Sequence, residues 1–366
     1  MVGWTRRSVG GLAVGAVVAA VLGVGGRTPR DEALGFLRRM MDLRVTGSTP
    51  RLARSYLGGA LGARGFTDAT TYDNAVMLHA FLAAGDERRA RVLGDGLVAA
   101  QAADPAADGR VRAAYSPDPP FTTATNAASD VGAVAWAAHA LATLGGGGYL
   151  DAAVAMGEWV ERTARDTRGA GGYTGGLRAD GTPLTWKATE HNTDLVALFE
   201  RLAAGDGKWR ERADAARGFV SSMWDGDHFH TGTDVDGVTP NRAFVPADAQ
   251  TWTYLALRDD RFAASLDYAA REMSAVDGPY RGISSRQGVH DQVWFEGTAH
   301  LALARRLRGD PDPALLDTIE KVQRAHGPGV LAASRDEATT DHYASLHTGA
   351  TAWYLLAAAG VNPLAP

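Results

Sequence analysis

Residues 186–194 read Trp-Lys-Ala-Thr-Glu-His-Asn-Thr-Asp and run straight into the apolar series Leu195, Val196, Leu198, Phe199 and Leu202. The apolar residues repeat at helical spacing, so the stretch is the mouth of a helix. Thr189 suits the N-cap, and Glu190 falls in the first turn, where the helix dipole favours an anion. One capping group satisfies a helix start. Glu190, His191, Asn192 and Asp194 crowded at a single entrance exceed that need and mark a candidate site.

The same arrangement recurs along the chain. Tyr72-Asp73-Asn74 opens an apolar run at 75–84, and Ser129-Asp130-Val131-Gly132 opens one at 133–144. Asp248-Ala249-Gln250-Thr251-Trp252 opens a shorter run. Trp294-Phe295-Glu296-Gly297-Thr298 leads into 299–307, and Leu346-His347-Thr348-Gly349 into 350–359. The mouths lie roughly 50 to 60 residues apart, the mark of one supersecondary unit repeated.

Loop lengths alternate between the mouths. Tight connections at Gly85-Asp86, 145–148, Gly205-Asp206-Gly207, Asp259-Asp260 and Gly309-Asp310-Pro311 offer glycine for a helix C-cap and aspartate for the next N-cap. The returns at 102–128, 166–188, 224–247, 274–293 and 326–345 are long and rich in aromatic residues, unlike disordered segments. With an amphipathic helix at 31–43 as the first outer member, the chain holds six helical pairs. Such hairpins bury both faces only by closing a ring. The expected fold is all-α, an (α/α)6 toroid of six helical hairpins with the long loops on one face, as a single domain over 31–366. The mouths and the loops then share that face, which locates the site.

The chain has 366 residues, 45% of them hydrophobic, ample for a core, and a net charge of -5 that argues against a nucleic-acid partner. Cysteine is absent, which excludes disulfides and thiolate sites. Arg6-Arg7 precede an uncharged Gly/Ala/Val-rich stretch at 9–26, so residues 1–30 read as a bacterial signal peptide of the twin-arginine type or an uncleaved membrane anchor. The expectation is an exported protein, secreted or in the cell envelope, attached to the membrane only through that segment. No obligate protein partner is implied.

Five carboxylates stand at inner-helix starts: Asp73, Asp130, Glu190, Asp248 and Glu296. Capping explains an aspartate there, Asp248 most easily; Glu190 and Glu296 are harder to explain away. Packed helices lie about 8–10 Å apart, so carboxyls on adjacent helices reach the separation of roughly 6.5–9.5 Å at which an inverting glycosidase fits a water. Glu190 is expected as the acid and Asp248 as the base, with Asp130 and Glu296 as further catalytic candidates. Tyr72, Asp73, Asn74, Trp186, His191, Asn192, Gln250, Trp252, Trp294 and His347 are the expected substrate-binding residues, because flat apolar faces and converging polar groups make a sugar pocket. The run 225–230 with Asp234 and Asp236 has the density of a calcium site but reads more simply as a hairpin, and glycine-rich 169–176 lacks the lysine of a phosphate loop. No metal and no cofactor are expected.

On Thr71-Tyr72-Asp73-Asn74, Thr189-Glu190-His191-Asn192, Asp248-Ala249-Gln250-Thr251-Trp252 and Trp294-Phe295-Glu296-Gly297-Thr298-Ala299, the chain resembles the six-hairpin glycosidase-like superfamily over nearly everything after the signal. That resemblance implies a poly- or oligosaccharide substrate and a glycoside hydrolase with a carboxylate pair. The same architecture also implies two alternatives of its own class, a sugar epimerase or a polysaccharide lyase, and for the lyase His191, Asn192, Tyr343 and Arg112 would serve. A non-catalytic glycan-binding protein of the cell envelope is the third.

Overall fold

A computed structural model describes residues 27–43, 46–336 and 342–365 of the chain. The signal or anchor expected at the amino terminus lies outside the described residues up to position 26. Among the described residues no helix is long and apolar enough to cross a membrane.

Among the described residues twelve helices build the architecture. The inner ones are α2 (Thr71–Ala83), α4 (Val131–Leu144), α6 (Thr189–Ala203), α8 (Ala247–Leu257), α10 (Phe295–Arg308) and α12 (Thr348–Ala359). The outer ones are α1 (Pro29–Met41), α3 (Glu87–Ala102), α5 (Gly147–Ala164), α7 (Lys208–Ser222), α9 (Ala264–Glu272) and α11 (Pro313–His326). Each inner helix packs on the next, and α12 returns to α2, closing the ring. The expected (α/α)6 toroid is the observed fold. A five-residue helix at Gly59–Ala63 sits in the first connector.

Burial follows the sequence pattern. In α4 nearly every residue from Val131 to Leu141 is buried, so this alanine-rich helix meets protein all round. By contrast α11 buries one stripe, Leu315, Thr318, Ile319, Val322 and Gln323, at the spacing of a surface helix. The tight turns work as their residues dictate: Asp86 accepts the Arg89 N–H to cap α3, and Gly309 ends α10 at φ 100°. Asn362 and Ala365 of the tail bond Leu255 O and Arg201 across the end opposite the mouths.

At the other end, each mouth pairs with the connector that follows it. Ala69–Thr70 pairs with Ala114–Tyr115, and Ser129–Asp130 with Gly176–Leu177. Single bridges join Ala188 to Gly232, Pro246 to Arg286 and Trp294 to Ala333. The sixth mouth, Leu346–His347, pairs back to Tyr56–Leu57 of the first connector and completes the circle. Each connector is thereby tied to the rim at one strand pair or bridge.

A second tie comes from the fourth residue of five inner helices. Asn74 accepts from Ala53 N at 2.7 Å while its NH2 donates to Ala53 O and Thr70 O. Asn192 holds Tyr173 N and O in the same way, and Gln250 holds Phe229 N and O. Thr298 accepts from Ile283 N, and Thr351 from Val330 N. All five also bond the carbonyl four residues earlier. Asn74, Asn192 and Gln250 were expected at the sugar. Instead, fully buried, they spend both ends of the amide on connector backbone whose groups would otherwise be unsatisfied. Thr189 likewise is not the N-cap: that position is Ala188, and the Thr189 hydroxyl donates to His230 O.

Candidate active site

The repeat places two rings of side chains in the bowl. The second residues of the six inner helices are Tyr72, Gly132, Glu190, Asp248, Glu296 and Gly349. One turn deeper stand Val76, Trp136, Asp194, Trp252, His300 and Trp353, since residues four apart share a helix face. The two glycines have a steric reason. A Cβ on Gly132 would run into the His191 ring, and one on Gly349 would run into Asp73 and His347. The deeper ring is an aromatic floor, with Trp136 5.4 Å from Trp252 and 5.9 Å from Trp353, and His300 4.2 Å from Trp353.

One side of the bowl is charge-paired. Glu296, 3% exposed, accepts from the Tyr72 hydroxyl at 2.5 Å, and its other oxygen lies 3.3 Å from His347 Nδ1. His347 Nε2 faces Asp73 at 3.1 Å, and its ring stacks on Tyr56 at 4.3 Å. Burial opposes both charges. The contacts with His300 and His347 nevertheless hold the Glu296 carboxyl far below its usual range, and Asp73 and Glu296 lift the His347 imidazole to about 10. Ala350 N also lies 3.2 Å from Nδ1, but two facing carboxylates select the imidazolium, so Nδ1–H points at Glu296. Trp252 Nε1 donates to His300 Nδ1 at 3.1 Å, which leaves the His300 proton on Nε2, 3.7 Å from Glu296. The Tyr72 hydroxyl, which accepts from Trp353 Nε1, is driven upward by burial and by Glu296.

The other side lacks cations. Burial, then the nearby Asp248, push the Glu190 carboxyl up to about 8; burial raises Asp248 to about 6, opposed by the Ala249 N–H and reinforced by Glu296. Asp130 is raised by burial alone, and Asp194 well above its range by burial, Glu190 and Asp248. Glu190 Oε2, His191 Nδ1 and both Asp194 oxygens are buried without a hydrogen-bond partner. Burial takes His191 down to about 4, so it is a neutral imidazole.

Three adjoining cavities make a groove. A chamber of about 260 Å³ is lined by Asp130, Glu190, His191, Asp194 and Asp248 over Tyr72, Trp136 and Trp252. Tyr72, Asp248 and Trp252 are shared with a neighbour of about 380 Å³ that adds Asp73, Trp294, Glu296 and His347. On the far side Glu190 opens onto about 330 Å³ bounded by Trp186 and the 231–244 connector. The four carboxyls expected to be catalytic therefore face one groove, together with seven of the ten expected binding residues. Tyr56, Trp136, His300, His342 and Trp353 escaped the sequence reading, and Asp194, counted there at the crowded mouth, was given no role. For Asp194 and the floor residues the signal was present, each standing four positions after a mouth residue; Tyr56 and His342 carry no such mark.

Other expectations resolve differently. Arg112, a candidate to neutralise a uronate, is held by Asp104 and Ala127 O away from the groove. Asp130 is the N-cap of α4 by position, yet its side chain caps nothing, and Asp248 is the second helical residue instead of a cap. The acidic run after Trp224 does form a hairpin, Gly232–Thr233 with Pro240–Asn241. Its neighbours Asp225, His228 and His230 bring their ligand atoms within 4.8 Å of one another, a nitrogen-rich set suited to a transition metal and unlike the oxygen-only calcium site considered from sequence.

No family model matches the sequence, and no curated protein resembles it at the sequence level. The fold is an (α/α)6 barrel, and solved structures share it. Among solved structures it is similar to a novel alpha-amylase from Clostridium perfringens, with TM-score 0.65 and 9% identity, over 92% of this chain and 99% of that one. A D-mannose isomerase matches with TM-score 0.64 and 11% identity over 92% and 96% of the two chains. A cellobiose 2-epimerase from Bacillus thermoamylovorans matches with TM-score 0.61 and 10% identity over 89% and 98%.

Proposed function

We propose that the protein is an exported glycoside hydrolase that cleaves a poly- or oligosaccharide lying along the groove, with Glu190 as general acid and Asp248 as general base. One observation carries this reading: two carboxyls face the same chamber with their titrations held apart, near 8 and near 6, so that at neutral pH one holds a proton and the other does not. Glu190 gives its proton to the glycosidic oxygen as the bond to the anomeric carbon breaks. Asp248 takes a proton from the water whose oxygen attacks that carbon. The aromatic floor supplies the flat apolar surface for sugar rings, and Asp73, Glu296 and His347 supply hydroxyl partners next door.

An isomerase or 2-epimerase is the second reading. It is favoured by the neutral His191 imidazole in the chamber, which has a free nitrogen to take a proton, and by the two structural neighbours of that kind. The lyase reading loses support with Arg112 sequestered. The deciding experiment incubates the full-length protein with a glycan panel in deuterated water. New reducing ends without deuterium at C2 support hydrolysis. Deuterium at C2 without new reducing ends replaces it by isomerisation. Export is tested by fractionating cells that express the full chain: protein retained in the cytoplasm refutes it.

A further inference from the structure

The sign of the groove is unbalanced. The chamber is walled by Asp130, Glu190, Asp194 and Asp248, and among the described residues no lysine or arginine lines it. Of the three cavities only the one beside Trp186 has a lysine, and Lys187 Nζ is bound to Arg168 O and Gly171 O, with Asp166 at 3.5 Å. In the second cavity His347 is already committed between Asp73 and Glu296. Asp194 is 2% exposed and lines the chamber; the Trp136 indole N–H eases its charge, but neither carboxyl oxygen makes a hydrogen bond of good geometry. Burying a carboxyl without a donor is costly, and a binding site is where such a cost is recovered from a ligand.

We propose that the chamber takes a sugar bearing a free amino group, so that the substrate of the hydrolase proposed above is a glycan of unacetylated hexosamine. The inference rests on that reading for the reaction but not for the binding. A neutral hydroxyl offers one donor and no charge. An ammonium offers three donors to these carboxyl oxygens and a counter-charge for the ionised Asp248, and the Tyr72, Trp136 and Trp252 faces attract a cation as well. N-acetylation removes the charge and adds bulk in a chamber of about 260 Å³. A single metal ion is the poorer occupant: among the described residues the one His/acid group with ligand atoms within 4.8 Å of one another is Asp225, His228 and His230, elsewhere in the fold.

The test measures binding and turnover separately. The full-length protein is titrated calorimetrically with glucosamine, N-acetylglucosamine and glucose. It is then assayed on oligosaccharides of glucosamine and of galactosamine beside their N-acetylated and neutral counterparts. The expected result is glucosamine binding at least about tenfold tighter than either comparison sugar, with the margin narrowing at about 0.5 M salt. Asp194→Asn should cut that margin to about threefold or less; Asp130→Asn should do the same in part and stands in if the first variant does not fold. Equal or weaker binding of the amino sugar, or faster cleavage of neutral or acetylated chains, overturns the inference and leaves the hydrolase standing. Amine-selective binding with no cleavage of any glycan overturns the hydrolase and leaves the inference standing.

Discussion

Glu190 and Glu296 occupy the same position on α6 and α10, the second residue of an inner helix, and yet they are opposite in charge state. Glu296 meets an imidazolium and a phenol hydroxyl and stays ionised; Glu190 meets Asp248 and Asp194 and keeps its proton. Residue type and helix position are identical, so neither sets the protonation state. What lies across the bowl sets it.

The largest effect should come from Glu190→Gln. Removing the general acid lowers kcat by about 100- to 10,000-fold, whereas the fold is unharmed because glutamine mimics the protonated carboxyl. A melting curve alongside the kinetics checks both halves, and full activity would end the comparison. Glu296→Gln should do the reverse in stability. It strips the buried imidazolium of one counter-charge and costs about 3–5 kcal/mol by urea unfolding; a loss below about 1 kcal/mol would mean that His347 is not charged.

pH sharpens the same contrast. The kcat/KM profile should be a bell with apparent limbs near 6 and near 8, belonging to the Asp248–Glu190 pair, and Glu190→Gln should erase the upper limb. In stability, a carboxyl that keeps its proton to about 8 when folded and to 4.5 when unfolded makes the folded state bind more protons, so Glu190 contributes a loss as pH rises between those values. The substituted chain should lose less over that window. Glu296 runs the other way, its contribution disappearing on acidification below 4.5.

Smaller effects belong to the connector ties. Asn192→Ala leaves Tyr173 N and O without partners and should cost about 2–3 kcal/mol. Thr351→Val removes one bond to Val330 N and should cost about 1 kcal/mol. If Asn192→Ala changed KM for substrate with no loss of stability, the side chain would be at the sugar after all.

The chain by itself determined the toroid. The period of the mouth motif, the alternation of tight and long connections and the apolar spacing are all local quantities, and six hairpins with exposed apolar faces have one compact way to close. It also put the carboxyls of five helices on one rim. The sequence could not divide the mouth residues by role. Asn192 and Glu190 are two positions apart, about 200° around a helix, so one faces the connector and the other the bowl; both are simply polar in the sequence. Nor could it assign a proton to one carboxyl and a charge to another, because Coulomb interaction and desolvation depend on neighbours some 60 to 220 residues away along the chain, as Tyr72 is from Glu296, and only the closed ring brings these together.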